Sequence, residues 1–243
     1  MYKGKRIIAI IPARSGSKGI KNKNIRTLNG IPLIAHSIIC AKRSEIIDEI
    51  FLSTDSEEYA EIAKLYGANV PFLRPINIST DRSQAYDYVI NALTTYKDQY
   101  DKIFDYFIVL QPTSPIRRPE HITDVVKMLV DNNIDSVVSV CEADHIPQIY
   151  NHLPENMSMD GFYKEDNNSF NRQDFGKYYR LNGSIYAMNT CEFLKTKSYY
   201  IQNSRAYIMD KKYSIDIDDE LDLYFAEKIL PIDGYSRCLI KGG

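Results

Sequence analysis

Apolar and polar positions along this chain fall into short blocks whose period switches between strand and helix. The first block, Arg6 to Pro12, is dense in isoleucine and too short for a free-standing helix, which predicts a buried parallel strand. A loop and an apolar helix follow. Strand-like Glu49 to Ser53 leads into Glu57 to Tyr66, where Tyr59, Ile62, Ala63 and Tyr66 recur at helical spacing. The rhythm repeats with a short strand at Val70 to Leu73, a helix carrying Tyr86, Val89, Ile90 and Leu93, and a strand at Tyr106 to Leu110. A helix with Ile122, Val125, Val126 and Leu129 then precedes a strand at Ser136 to Val140. Such alternation predicts an α/β domain with a mostly parallel sheet, helices on both faces and right-handed crossovers. From Asp144 to Tyr179 the chain is polar, rich in Asn and Asp and without sustained period, so an excursion is expected over about 144–180. Regular elements resume at Gly183 to Met188, Thr190 to Leu194, Ala206 to Met209 and Glu220 to Ile229. With no internal repeat and no low-complexity linker, residues 1–243 read as a single domain.

Composition narrows the possibilities. Hydrophobic residues make up 44% and charged residues 26%, ordinary fractions that argue against disorder and against a membrane protein. No run approaches the roughly 18 apolar residues of a spanning helix. Met1 to Arg6 enters the first strand without a signal-peptide core, so a cytoplasmic location is expected. Cys40, Cys141, Cys191 and Cys238 lie far apart and form no C-x-x-C pair; they read as reduced, mostly buried thiols. A net charge of −2 supplies no general pull toward nucleic acid or an anionic membrane, so neither is expected as a partner. Against that nearly neutral background Arg14, Lys18, Lys21, Lys23 and Arg26 form a local cationic cluster.

The cluster belongs to Ile11-Pro12-Ala13-Arg14-Ser15-Gly16-Ser17-Lys18-Gly19, continuing to Lys23-Asn24. Its glycines admit backbone N–H groups close to an anion and its cations neutralise one, chemistry suited to a triphosphate. The spacing is neither a Walker loop nor a dinucleotide loop. Alone it reads better as a solvated turn; its place after the first strand, where open α/β sheets hold ligands, favours the anion site. In Ser214-Ile215-Asp216-Ile217-Asp218, alternate residues of an extended segment would point two carboxylates one way, with bases about 6–7 Å apart. They suit a shared hard cation such as Mg2+, while Asp218 or Asp219 could equally cap the last helix. Gln111-Pro112-Thr113-Ser114-Pro115 offers amide and hydroxyl groups on a turn fixed by proline. Ser53-Thr54-Asp55 reads best as a cap, Thr54 standing three residues before Glu57. Arg172, Lys177 and Arg180 precede Leu181-Asn182-Gly183 and could hold a carboxylate bidentately, although surface charge is the default for each. The four histidines lack metal-ligand spacing and there is no G-x-S-x-G elbow, which removes zinc and serine-hydrolase chemistry.

Taken together these blocks resemble the CMP-sialic acid synthetases, or acylneuraminate cytidylyltransferases. Ile11 to Gly19 with Lys23-Asn24, Ser53-Thr54-Asp55, Leu73-Arg74-Pro75, Leu110 to Pro115, Ser136 to Val140, Arg180 to Tyr186 and Ser214 to Leu223 occur in the family's order and span nearly the whole chain. The resemblance implies a Rossmann-like nucleotidyltransferase fold, a homodimer joined through the excursion, and Mg2+-dependent transfer of CMP from CTP to a nine-carbon acidic sugar with release of pyrophosphate. By position, Arg14 and Lys23 would hold the CTP phosphates with Lys18 and Asn24 in support, and Arg74 the nucleotide. Gln111, with Asn182 nearby, would meet the sugar; Asp216 and Asp218 would hold Mg2+; Arg172, with Lys177 or Arg180, would reach the sugar carboxylate.

The chain departs from the family pattern on the sugar side. Thr80-Asp81-Arg82-Ser83-Gln84-Ala85 replaces a Ser-Asp-x-x-Ser-Ser run, and the lysine some members carry after His-Pro is absent near Gln148 and Ile149. Sialic, legionaminic and pseudaminic acids therefore stay open as substrates. The rival readings are a nucleotidyltransferase for the eight-carbon 3-deoxy-octulosonic acid and a non-catalytic nucleotide-binding regulator.

Overall fold

The computed structural model describes residues 1–16, 20–80, 83–84, 86–162 and 176–230. In chain order the strands are β1 (Ile7–Pro12), β2 (Thr27–Leu28), β3 (Ile31–Pro32), β4 (Glu49–Ser53), β5 (Tyr106–Leu110), β6 (Ser136–Glu142), β7 (Tyr179–Asn189) and β8 (Ser204–Ile208). The α-helices are α1 (Leu33–Arg43), α2 (Glu57–Tyr66), α3 (Asp87–Tyr100), α4 (Pro119–Asp131), α5 (Thr190–Thr196) and α6 (Glu220–Ile229). β2 and β3 form a small hairpin, and the other six strands form one sheet ordered β4-β1-β5-β7-β6-β8.

Period-two burial explains why the sheet is covered on both sides. Ile7, Ala9 and Ile11 of β1 pack with α1, α2, α4 and α6, whereas Ile8 and Ile10 face α3 and α5. These β1 side chains are all essentially excluded from water, each isoleucine contributing about 2 kcal/mol of hydrophobic stabilisation as an upper figure. The mostly parallel sheet expected from the sequence is present, with one reversed strand: β7 runs antiparallel to β5 and β6, while β1, β4 and β5, and β6 and β8, pair in parallel.

Three local expectations are corrected. Val70 to Leu73 forms no strand. Asn69 makes a lone parallel bridge to Phe51, and Pro71, which has no N–H to donate, prevents the ladder from continuing. The cap of α2 is Ser56, whose hydroxyl accepts from the Tyr59 N–H, while Thr54 sits buried and accepts from the Ser56 N–H. The segment 214–218 is not paired as a strand; at its centre the Ile217 N–H reaches the Thr113 carbonyl at 2.7 Å. Among the described residues no helix is long and apolar enough to cross a membrane. Cys40 and Cys141 are buried as expected, but Cys191 is exposed, and Cys238 lies outside the described residues.

Candidate active site

The carboxyl ends of β1, β4 and β5 share one edge of the sheet, and β7 brings its amino-terminal half to that edge because it is reversed. The loop after β1 is pinned from several sides. Ala13 N–H donates to the Ser53 carbonyl, the Asn24 amide donates to the Arg14 carbonyl, and Asp55 accepts from both the N–H and the hydroxyl of Ser15. Asn24 thus supports the loop backbone, and Asp55, read from sequence as part of a cap, anchors it. Lys18 lies outside the described residues.

Arg74 sits nearly buried at the end of β4. Its guanidinium donates to the Ser53 hydroxyl and carbonyl and lies over the Tyr88 ring, 5.1 Å from its centroid. Burial pulls it down to about 10, and the nearby Arg14 charge acts in the same direction, so the two cations share one neighbourhood and Arg74 remains charged at neutral pH.

The acidic segment closes the other side. Lys23 is largely covered and donates to the Ile217 carbonyl at 2.8 Å and to Asp218 Oδ1 at 3.1 Å, tying the cationic loop to the acids. Asp219 caps α6 through the N–H groups of Leu221 and Asp222, and the Asp222 carboxylate accepts from the N–H groups of Asp218 and Asp219. The capping role belongs to Asp219, which leaves the carboxylates of Asp216 and Asp218 for other work. Burial first, and then the Asp218 charge, hold the Asp216 carboxyl above its ordinary value, against hydrogen bonding from Thr113 and attraction by Lys23. Asp216 Oδ1 is buried without a hydrogen-bond partner. A partly desolvated carboxylate with one bare oxygen, next to a second and exposed carboxylate, fits a hard cation. Among the described residues no group of three or more acidic, His or Cys ligands exists, so water and phosphate oxygens would complete such a shell.

Against the acidic segment lies Gly183, whose φ of +70° is a left-handed conformation that disfavours any β-carbon. A β-carbon there would stand 3.2 Å from Gln111 Oε1, 3.4 Å from Asp216 Oδ2 and 3.6 Å from Ser114 Oγ. This close approach comes from a bulge. Between the pairs Val138–Tyr186 and Val140–Leu181, the four residues Asn182 to Ile185 face Ser139 alone. The Ser139 hydroxyl fills the gap, accepting from the Ile185 N–H and donating to Asn182 Oδ1 at 2.6 Å.

Asn182 departs from its expected role. It is buried, its Nδ2 donates to Ser214 Oγ, and its Oδ1 accepts from Ser139 and from the Ser184 N–H, so it braces the site from behind. Arg180 reaches the Ser214 carbonyl and lines a cavity of about 560 Å³ with Asp144, His145 and Tyr150. Lys177 stands further off, paired with Glu142. Arg172 lies outside the described residues. Arg14, Lys23, Asn24, Arg74, Gln111, Asp216 and Asp218 are therefore brought together, while Lys177 is not. Sequence reasoning assigned Asp55 a capping role only and passed over Ser139 and the wholly buried Arg117, because a lone polar residue carries no periodic signal of burial.

The chain matches the family model described as Cytidylyltransferase over residues 8–236. It is 40% identical over 222 residues to the N-acylneuraminate cytidylyltransferase of Escherichia coli O18:K1:H7, covering 91% of this chain and 51% of that protein, so it spans about half the length of that relative. It is 37% identical to the CMP-N,N'-diacetyllegionaminic acid synthase of Legionella pneumophila, covering 94% of this chain and 97% of the other. Its fold is similar to that of a CMP:2-keto-3-deoxy-manno-octonic acid synthetase solved with CTP, with a TM-score of 0.65, 14% identity, and coverage of 94% and 99%.

Proposed function

Because this chain belongs to the cytidylyltransferase family, we propose that it transfers CMP from CTP to the anomeric hydroxyl of a nine-carbon acidic sugar of the sialic or legionaminic kind, releasing pyrophosphate. The observation that carries this reading is the linkage of cations to acids at one edge of the sheet: Arg14 neighbours Arg74, Lys23 binds Asp218, and Asp216 and Gln111 meet at Gly183. The sugar hydroxyl gives up its proton to water as its oxygen forms a bond to the α-phosphorus and the bond from that phosphorus to the bridging β-phosphate oxygen breaks, so negative charge accumulates on pyrophosphate. Arg14 and Lys23, with Lys18 in support, neutralise that charge, and positioning does most of the remaining work. Arg74 holds the nucleotide and Gln111 the sugar. Asp216 and Asp218 would hold Mg2+, which supplies positive charge to phosphate or sugar oxygens.

The eight-carbon alternative is disfavoured. The relatives at 37–40% identity are named for nine-carbon acids, whereas the eight-carbon enzyme shares only the fold at 14% identity. A regulator without catalysis would have no use for the paired carboxylates and the lysine bound to Asp218. A homodimer working in the cytoplasm completes the proposal. The excursion exposes Tyr150, Leu153, Met157 and Met159, apolar surface suited to a second copy that would bring Arg172 and Lys177 toward the sugar carboxylate. Pyrophosphate release with CTP, Mg2+ and a panel of N-acetylneuraminic, legionaminic, pseudaminic and eight-carbon acids tests the reading. Turnover of a nine-carbon acid with CTP but not ATP or UTP supports it, and preference for the eight-carbon acid refutes it.

A further inference from the structure

Arg117 has no solvent exposure, and its guanidinium grips three separate elements. Nε donates to Ser184 Oγ of β7 at 3.2 Å, Nη1 to Ser37 Oγ of α1 at 2.8 Å, and Nη2 to the Gln111 carbonyl at the end of β5 at 2.5 Å. Burying a guanidinium is costly, and well-packed apolar side chains often replace buried charges without loss of stability, so stability alone does not explain an arginine here. What the planar fork provides is fixed geometry.

The two residues it holds on the cleft side are the ones that matter. Gln111 carries the carboxamide that approaches within 3.2 Å of the β-carbon position of Gly183, and Ser184 is the residue next to Gly183. The nucleotide-side groups are anchored on other atoms: Arg74 on Ser53, and Lys23 on Ile217 and Asp218. We propose that Arg117 is a positioning residue for the sugar half of the reaction, setting the gap between the β5 end and the β7 bulge and so the placement of the Gln111 carboxamide on the acceptor. This rests on the reading of the site as a cytidylyltransferase with Gln111 facing the sugar.

The test separates the two substrates. For Arg117→Met and Arg117→Lys we expect the KM of the acidic sugar to rise about 10-fold or more while the Kd of CTP, measured by calorimetry without sugar, stays within about threefold. Lysine keeps the charge but not the fork, so full rescue by Arg117→Lys overturns the proposal, as does an equal weakening of both substrates. If neither variant folds, Ser184→Ala takes their place. It should raise the sugar KM, leave CTP binding unchanged and add nothing to the effect of Gln111→Ala; additive effects overturn the idea. A wild type that binds CTP yet consumes no nine-carbon acid would sink the reading of the site. A wild type that consumes one, beside Arg117 variants with unaltered sugar KM, sinks only this inference.

Discussion

Gly183→Ala is the sharpest probe of the site. The substitution adds one methyl group at a φ of +70°, where an L-residue costs about 1–2 kcal/mol. The new carbon would meet Gln111 Oε1 at 3.2 Å and Asp216 Oδ2 at 3.4 Å. The first distance is tight, but the contacted atom ends a flexible side chain, so the carboxamide yields by a few tenths of an ångström and adds little to the loss of stability. Thermal unfolding should therefore fall by roughly 2–8 °C, at about 2–4 °C per kcal/mol for a chain of this size. Activity should suffer out of proportion. Misplacing a positioned group by an ångström can cost about 100-fold, so a shift of a few tenths beside both Gln111 and Asp216 should lower kcat/KM by about tenfold or more. Pyrophosphate release measured well below the variant's Tm, with circular dichroism to verify folding, separates the two effects. Wild-type kcat/KM for both substrates in a folded Gly183→Ala protein would show that the reaction does not occur between these groups.

Asp218→Ala should abolish turnover with secondary structure intact, and near-normal rates in excess Mg2+ would remove this carboxylate from the metal site. Lys23→Ala should lower steady-state turnover by about 100-fold or more, and an unchanged rate would discard its phosphate role. His36 is buried and burial pulls it down to about 4, from about 6.5 in the unfolded chain. The unfolded state then binds the extra proton first as pH falls, so this contribution is complete above pH 6.5 and is lost by pH 4, amounting to about 3 kcal/mol. His36→Gln, which keeps a donor toward the Leu28 carbonyl, should flatten the fall in Tm across that window; an undiminished slope would refute the assignment.

The sheet was legible because its strands bury alternate faces against different helices, which forces dense apolar runs such as Ile7 to Ile11. The direction of β7 was not, since an apolar run carries no sign of polarity and only the neighbours decide it. Arg14, Lys23 and Asp216 were readable as clustered charge. Arg117 was not, because adjacent to Arg118 and Pro119 it looks like surface charge, and arginine is almost never fully buried without partners supplied from distant parts of the chain. The misplaced cap at Thr54 has a similar cause. Both Thr54 and Ser56 are good caps in sequence, and the burial of Thr54 by tertiary packing leaves the role to Ser56.

The reversal of β7 explains how one edge of the sheet can serve both the nucleotide and the excursion. β6 runs parallel to β8, and β7 runs antiparallel to both β6 and β5, so β6 points the same way as β1 and delivers the chain to the ligand edge at Glu142. A parallel β7 would begin at the far edge and present Asn189 to the cleft. The antiparallel strand re-enters at Tyr179, paired with Glu142, so both ends of the excursion are rooted on the ligand edge. The bulge at Ser139 then lifts Asn182 to Ile185 out of register and seats Gly183 against the side chains of Gln111 and Asp216. Straightening that bulge would move Gly183 away from Gln111 without touching any charged group. Ser139→Ala, which removes the hydroxyl that accepts from Ile185 and donates to Asn182, should therefore impair turnover through geometry alone.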